Sequence, residues 1–278
     1  MSLDRLDVDV DGRRVRGVSA GAGRPVLFLH GLGGSARYWG ESLAALAGEL
    51  RGIALDLPGF GSSDRAAEPF SLDGAADTLA GACTALGIER ATIVGHSFGA
   101  GIAIRLAARH PALASALVLV GPTGLAPVPG SERRRLLLAT ALYQPLARIP
   151  LRWEMPVARS GLSRRALWRY LFARPDEVTP AVAEMLLRGS REARQLRSAA
   201  RAALDDLVAQ DAAALTIPIG AIWGTSDLIS GPAERAALAA AVPQAQIREL
   251  EGVGHVPLLE APERFRAALR DLLCALGV

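Results

Sequence analysis

The sequence predicts an α/β protein: a mostly parallel, doubly wound sheet with an N-terminal antiparallel hairpin and an inserted helical cap. Three observations carry this. Short apolar runs that end in or near glycine alternate with helical stretches, a rhythm that implies parallel strands joined by right-handed crossovers. The first twenty residues instead alternate apolar and charged positions around Asp11-Gly12, the pattern of a β-hairpin. The rhythm also stops near Thr123 and resumes at Ile217, with an all-helical reading between.

In order, "PVLFLHG" at 25–31 is a continuous apolar run, as expected of a strand buried on both faces. A helix is expected from Ser35 to about Leu50, then a strand in "GIALDLPG" at 52–59, stopped by Pro58-Gly59. Ser71 to Leu86 reads as a helix with Ser71 as N-cap. "ATIVGHS" is the next strand, Phe98 to Arg109 the helix after it, and "ALVLVGP" at 116–122 another strand. The rhythm then returns with "IPIGAIWG" at 217–224, a helix from Pro232, "AQIRELEG" at 245–252 and a final helix from Pro257 to Leu276. This organisation gives a core domain of residues 1–122 and 213–278, with residues 123–212 inserted as the cap.

Composition narrows the classes. All 31 basic residues are Arg, and the net charge is only +3. The inserted stretch holds 15 Arg against 9 acidic residues, a net +6, and the rest of the chain 16 against 19, a net −3. No basic block is interleaved with aromatics, so nucleic acid is not an expected partner. Cys83 and Cys274 sit among Ala and Leu and read as buried small hydrophobes, which suits a reducing compartment. The N-terminus lacks a basic start and an apolar run, and no apolar stretch approaches the ~20 residues that span a bilayer. A cytoplasmic protein without integral membrane association is expected.

The chemistry centres on Gly95-His96-Ser97-Phe98-Gly99. A nucleophile at the end of a strand must turn sharply into a helix, and glycines two positions away on either side leave room for that corner. Ser97 would then stand over a helix N-terminus, where free N–H groups and the helix dipole favour developing negative charge. The Phe98 N–H is one expected oxyanion donor. Of the four histidines, His110 precedes Pro111 at a helix end and reads as a cap on carbonyls, His96 lies inside the turn, and His30 belongs to "HGLGG". His255, in the Gly-bounded loop "GVGHVP", is the expected base. Asp227 in "WGTSDLIS" is the expected orienting carboxylate, with Asp56 and Asp64 near the same edge as alternatives. Parallel strands deliver their following loops to one edge of the sheet, so these distant residues can converge. The Leu32 N–H in "HGLGG" is the expected second oxyanion donor. Asp56 in "DLPG" reads as a loop-shaping residue, and Trp39 and Trp223 as core. Trp153 and Trp168, with Met155, Tyr170 and Phe172, either line an apolar pocket or hold cap helices together.

"HGLGGSARYW", "LDLPGFGSSD", "GHSFG", "GTSD" and "GVGHVPLLEAPERF" fall in the order and approximate spacing of the α/β-hydrolase superfamily, which the chain resembles over nearly its whole length. The resemblance implies Ser97 as nucleophile, Asp227 as acid, His255 as base, Leu32 and Phe98 as oxyanion donors, and a helical lid over the pocket. It implies a serine hydrolase of carboxylesterase type, acting without metal or organic cofactor on a small, apolar ester, thioester or related acyl compound. Carbon–carbon bond hydrolysis, acyl transfer, a lyase step or ligand reception on the same fold stay open. Relatives that hydrolyse ring-cleavage products typically carry Trp after the catalytic His, where this chain has Val256. Epoxide and haloalkane hydrolases use an Asp in the place of Ser97.

Overall fold

The computed structural model describes residues 3–131, 133–134, 137–138, 165 and 168–278. Strands β1 (Asp4–Val10) and β2 (Arg13–Ala20) form the expected hairpin, with Asp4 opposite Ser19 and Val10 opposite Arg13. Asp11 and Gly12 both take positive φ, 51° and 77°, which is what a two-residue turn matched to the twist of its strands requires. The sheet continues through β3 (Pro25–Leu29), β4 (Arg51–Leu55), β5 (Ala91–His96), β6 (Ala114–Val120), β7 (Ile219–Gly224) and β8 (Gln246–Leu250). The spatial order is β1-β2-β4-β3-β5-β6-β7-β8, with β2 antiparallel to both neighbours and every later pair parallel.

All six residues of β5 and of β7 are buried, because helices cover both faces. Alternate residues feed two apolar layers. Leu27, Leu29, Ile93, Leu117 and Leu119 meet α2 (Leu72–Ala85) and α3 (Phe98–Arg109) on one face. Phe28, Val94, Val118 and Val120 meet α1 (Gly40–Leu46) and the C-terminal helices on the other. Trp39 and Trp223 are fully buried core residues, as expected. Between β6 and β7 the described residues hold α4 (Pro180–Glu192), α5 (Leu196–Asp205) and α6 (Ala209–Ala214), and no strand. Leu196 and Ala199 of α5 join the first layer, while Ala183, Leu186 and Leu187 of α4 join the second.

Several expectations are corrected. The helix expected over 35–50 is a 3-10 turn at Ala36–Trp39 followed by the short α1. The last helix is two pieces, α8 (Pro257–Glu260) and α9 (Pro262–Ala275), with α7 (Pro232–Ala241) before β8. Pro262 lacks the N–H that would continue the ladder and pushes Ala261 to φ −137°, ψ 61°. Ser71 does cap α2, its Oγ accepting from the Gly74 N–H at 3.1 Å. Cys83 is buried, but Cys274 is exposed on the outer side of α9. No helix among the described residues is long and apolar enough to cross a membrane.

Candidate active site

The loops that follow β3, β4, β5, β6, β7 and β8 meet at the C-terminal edge of the parallel strands. At the corner between β5 and α3, Ser97 adopts φ 53°, ψ −120°. This is a strained conformation for a residue with a Cβ, costing about 1–3 kcal/mol. It is held by hydrogen bonds at 2.9 Å on each side, Ser97 N–H to the Val120 carbonyl and Ala100 N–H to the Ser97 carbonyl. Both flanking glycines are sterically required. A Cβ at Gly95 would stand 2.6 Å from Ala100 Cα, and one at Gly99 2.6 Å from the Leu29 carbonyl oxygen.

His255 Nε2 lies 2.8 Å from Ser97 Oγ, and His255 Nδ1 lies 2.8 Å from Asp227 Oδ2. The His255 and Asp227 side chains are almost wholly buried, 3% and 2% exposed. The other Asp227 oxygen, Oδ1, accepts the N–H groups of Ile229 and Ser230, both at 2.8 Å. Burial pushes the Asp227 carboxyl up, but the bond to His255, its charge and these two peptide donors outweigh that and hold it below its ordinary value. The ionised carboxylate can only accept, so Nδ1 carries the imidazole proton and Nε2 faces the Ser97 hydroxyl as an acceptor. Gly121, which follows β6 with φ 47°, gives this pair its space: a Cβ there would meet Asp227 Oδ2 at 3.0 Å and His255 Nδ1 at 3.3 Å.

The "HGLGG" loop lies directly against the corner. A Cβ at Gly31 would come within 3.2 Å of Ser97 Cβ, and Gly34 N–H closes a turn onto the Gly31 carbonyl at 2.9 Å. Leu32 follows Gly31 in this turn. Phe98 opens α3, in the first turn, where backbone N–H groups have no intrahelical acceptor. His30 sits below this loop, its Nε2 accepting the Leu57 N–H at 3.0 Å and its Nδ1 facing the Gly31 carbonyl at 2.8 Å.

Asp56 shapes its loop as expected, taking the Ala36 N–H at 2.7 Å and the Ser62 N–H at 2.8 Å, and does not join Ser97 and His255. Asp64 likewise pairs elsewhere, with the Arg14 N–H and Arg16. His110 is the C-cap of α3 through its backbone, its N–H donating to the Leu106 carbonyl at 2.9 Å, while its ring Nε2 lies 2.8 Å from Asp77 Oδ1. His96 reaches beyond its turn: Nε2 is 2.8 Å from the His255 carbonyl oxygen, and the two rings lie 5.0 Å apart. A carbonyl only accepts, so Nε2 carries the His96 proton. Trp168 and Phe172 are buried in the apolar layer of α1 and α9, while Tyr170 is half-exposed. Trp153 lies outside the described residues.

Gly121 and the reach of His96 are the site features that the sequence reading missed. Gly121 ends the run "ALVLVG", so its signal was the same strand-then-glycine pattern that marks residue 31.

The model of the alpha/beta hydrolase fold family matches residues 24–262. An uncharacterized protein of Mycobacterium tuberculosis (strain ATCC 25618 / H37Rv) is 32% identical over 257 residues, 88% of this chain and 74% of that protein. The dihydrolipoyllysine-residue acetyltransferase component of the acetoin cleaving system of Cupriavidus necator is 32% identical over 271 residues, 95% of this chain and 68% of that protein. Among solved structures, an esterase from Thermogutta terrifontis superposes with a TM-score of 0.80 at 24% identity, covering 99% of this chain and all of that one. Fold, site edge and sequence matches agree: the chain belongs to the alpha/beta hydrolase fold family.

Proposed function

We propose that the chain is a serine hydrolase that cleaves a carboxylic ester, thioester or related acyl compound through an acyl-enzyme on Ser97. The observation that carries this reading is the continuous hydrogen-bond chain from Ser97 Oγ through His255 to Asp227, 2.8 Å at each link, on a strained corner of the sheet edge. His255 Nε2 takes the hydroxyl proton as Oγ attacks the carbonyl carbon, and Asp227 stabilises the imidazolium. The N–H groups of Leu32 and Phe98 hold the oxyanion. His255 gives its proton to the departing oxygen or sulfur. A water, deprotonated by the same nitrogen, then releases the acid and restores Ser97. In this reading Trp168, three residues before the Leu171 carbonyl that receives the His255 N–H, belongs to the apolar wall of the substrate pocket. No step calls on a metal or organic cofactor, and the substrate is a small molecule.

A panel of p-nitrophenyl esters of graded chain length, with a fluorophosphonate probe, tests the proposal. Ser97→Ala is expected to lower kcat by roughly 10⁴–10⁶ and to abolish labelling. Labelling that persists in a folded Ser97→Ala protein removes Ser97 as the nucleophile. The likeness to an acetyltransferase component favours one second reading, acyl transfer to an acceptor other than water. Acceleration of probe-ester turnover by an added thiol or alcohol, with the acylated acceptor recovered, distinguishes it.

A further inference from the structure

His255 is held by its backbone as well as by its ring. Its N–H donates to the Leu171 carbonyl at 2.8 Å, and the next N–H, of Val256, reaches the same oxygen at 3.3 Å. Its carbonyl accepts from His96 Nε2. One turn further on, Glu260 spans two chain segments with one carboxylate. Oε2 accepts the Gly254 N–H at 2.6 Å, and Oε1 accepts the Arg174 N–H at 3.0 Å. The segments are in close contact: a Cβ at Gly254 would stand 2.7 Å from the Ala173 nitrogen and 2.8 Å from the Leu171 carbonyl oxygen. Leu171–Arg174 lies in the stretch inserted between β6 and β7 and leads into α4, whereas Gly254 and His255 follow β8. The inserted stretch therefore supplies peptide groups on which the loop of His255 rests.

We infer that Glu260 is a positioning residue, tying the His255 loop to Leu171–Arg174 so that displacement of that segment unseats the base from Ser97. This rests on the serine-hydrolase reading. Hydrogen bonds to an ionised carboxylate are the strong kind, and two on one side chain fix the distance between the segments. A displacement of the base of about 1 Å is enough to cost on the order of 10²-fold in rate.

The test compares the full chain with Glu260→Ala and Glu260→Gln, reading kcat and KM on a p-nitrophenyl ester, thermal stability, and the downfield proton resonance of the His255 Nδ1–H bound to Asp227. Glu260→Ala is expected to lower kcat by about 10²-fold at nearly unchanged KM and to broaden or erase the resonance. Glu260→Gln keeps one oxygen for the Gly254 N–H and turns an amide donor toward the Arg174 N–H, so it falls between. A role confined to stability would lower the melting temperature and leave kcat and the resonance intact below it. A folded Glu260→Ala protein with wild-type kcat and resonance overturns the inference. If that variant does not fold, a Glu260→Gln protein equal to wild type in both overturns it instead. The resonance requires no turnover. Its loss in Glu260→Ala, in a protein whose wild type hydrolyses no ester, would reject the hydrolase reading and keep this one.

Discussion

At the scale of single residues, the site is a problem of space before it is one of reactivity. Ser97 can hold φ 53° only because the backbone on both sides approaches closer than any Cβ permits. Gly99→Ala would place a methyl 2.5 Å from the His30 carbonyl oxygen and 2.6 Å from that of Leu29. Neither is the flexible end of a side chain, so β3 and α3 must separate. The expected cost is about 3 kcal/mol, read as a lower urea midpoint, together with loss of fluorophosphonate labelling. Unchanged stability would mean that the corner relaxes without strain. This part of the site was legible because its cause is local: the glycines stand two residues from the serine they make room for. Asp227 and His255 were legible for a different reason, since each follows a strand in a glycine-bounded loop and parallel topology sends both to one edge. The reach of His96 to the His255 carbonyl was not legible. It spans 159 positions of sequence, and no periodicity encodes such a contact.

At the scale of elements, strands buried on both faces announce themselves as unbroken apolar runs, and β3, β5, β6 and β7 do so here. The break in the last helix was also written in the chain, at Pro262, but the apolar spacing on either side concealed it. Harder to read was how the inserted stretch joins the core. α6 falls within that stretch by sequence, yet it packs on α3 and α7. The segment leaving β6 is fixed by α7 as well. Buried Glu234 accepts the N–H groups of Gly124, Leu125 and Ala126 at 3.0, 2.8 and 3.0 Å, and Ser230 Oγ donates to the Pro122 carbonyl at 2.5 Å. A glutamate in an Ala-rich helix reads as a solvated residue; only the returning chain makes it a receptor for three peptide donors. Glu234→Ala leaves those donors without their acceptor, and we expect it to destabilise the protein by about 1–3 kcal/mol in urea unfolding. A change under about 0.5 kcal/mol, the size of an ordinary surface substitution, would show that these donors find other partners.

At the scale of the whole molecule, the buried histidines set the response to acid. His96 is 3% exposed, and burial, aided by the neighbouring His255, lowers its pKa from an ordinary 6.5 to about 3. His30 is fully buried and lowered for the same first reason, against the pull of Asp56. Both are neutral in the folded chain and free to charge in the unfolded one. A folded pKa below the unfolded value gives stability that is complete above pH 6.5 and is lost as pH falls toward the folded value. Asp227 and several surface carboxylates, among them Asp64 and Asp77, are also lowered, through hydrogen bonds to peptide groups and Arg or His side chains; they add loss below the ordinary carboxylate range. Glu234 runs the other way, since burial raises it against its three peptide donors, and its contribution fades as pH rises. Between pH 6 and 4 His96 removes up to about 1.4 kcal/mol per pH unit, and His30 adds a loss of the same sign. A loss of this size is a large fraction of the roughly 5–15 kcal/mol of a typical fold. Urea unfolding of wild type across this range should therefore show stability falling by roughly one proton's worth per pH unit from His96, with His30 steepening the fall. His96→Gln retains an N–H donor for the His255 carbonyl but does not titrate, so its slope should be shallower by one proton. Equal slopes would mean that His96 is already charged in the fold.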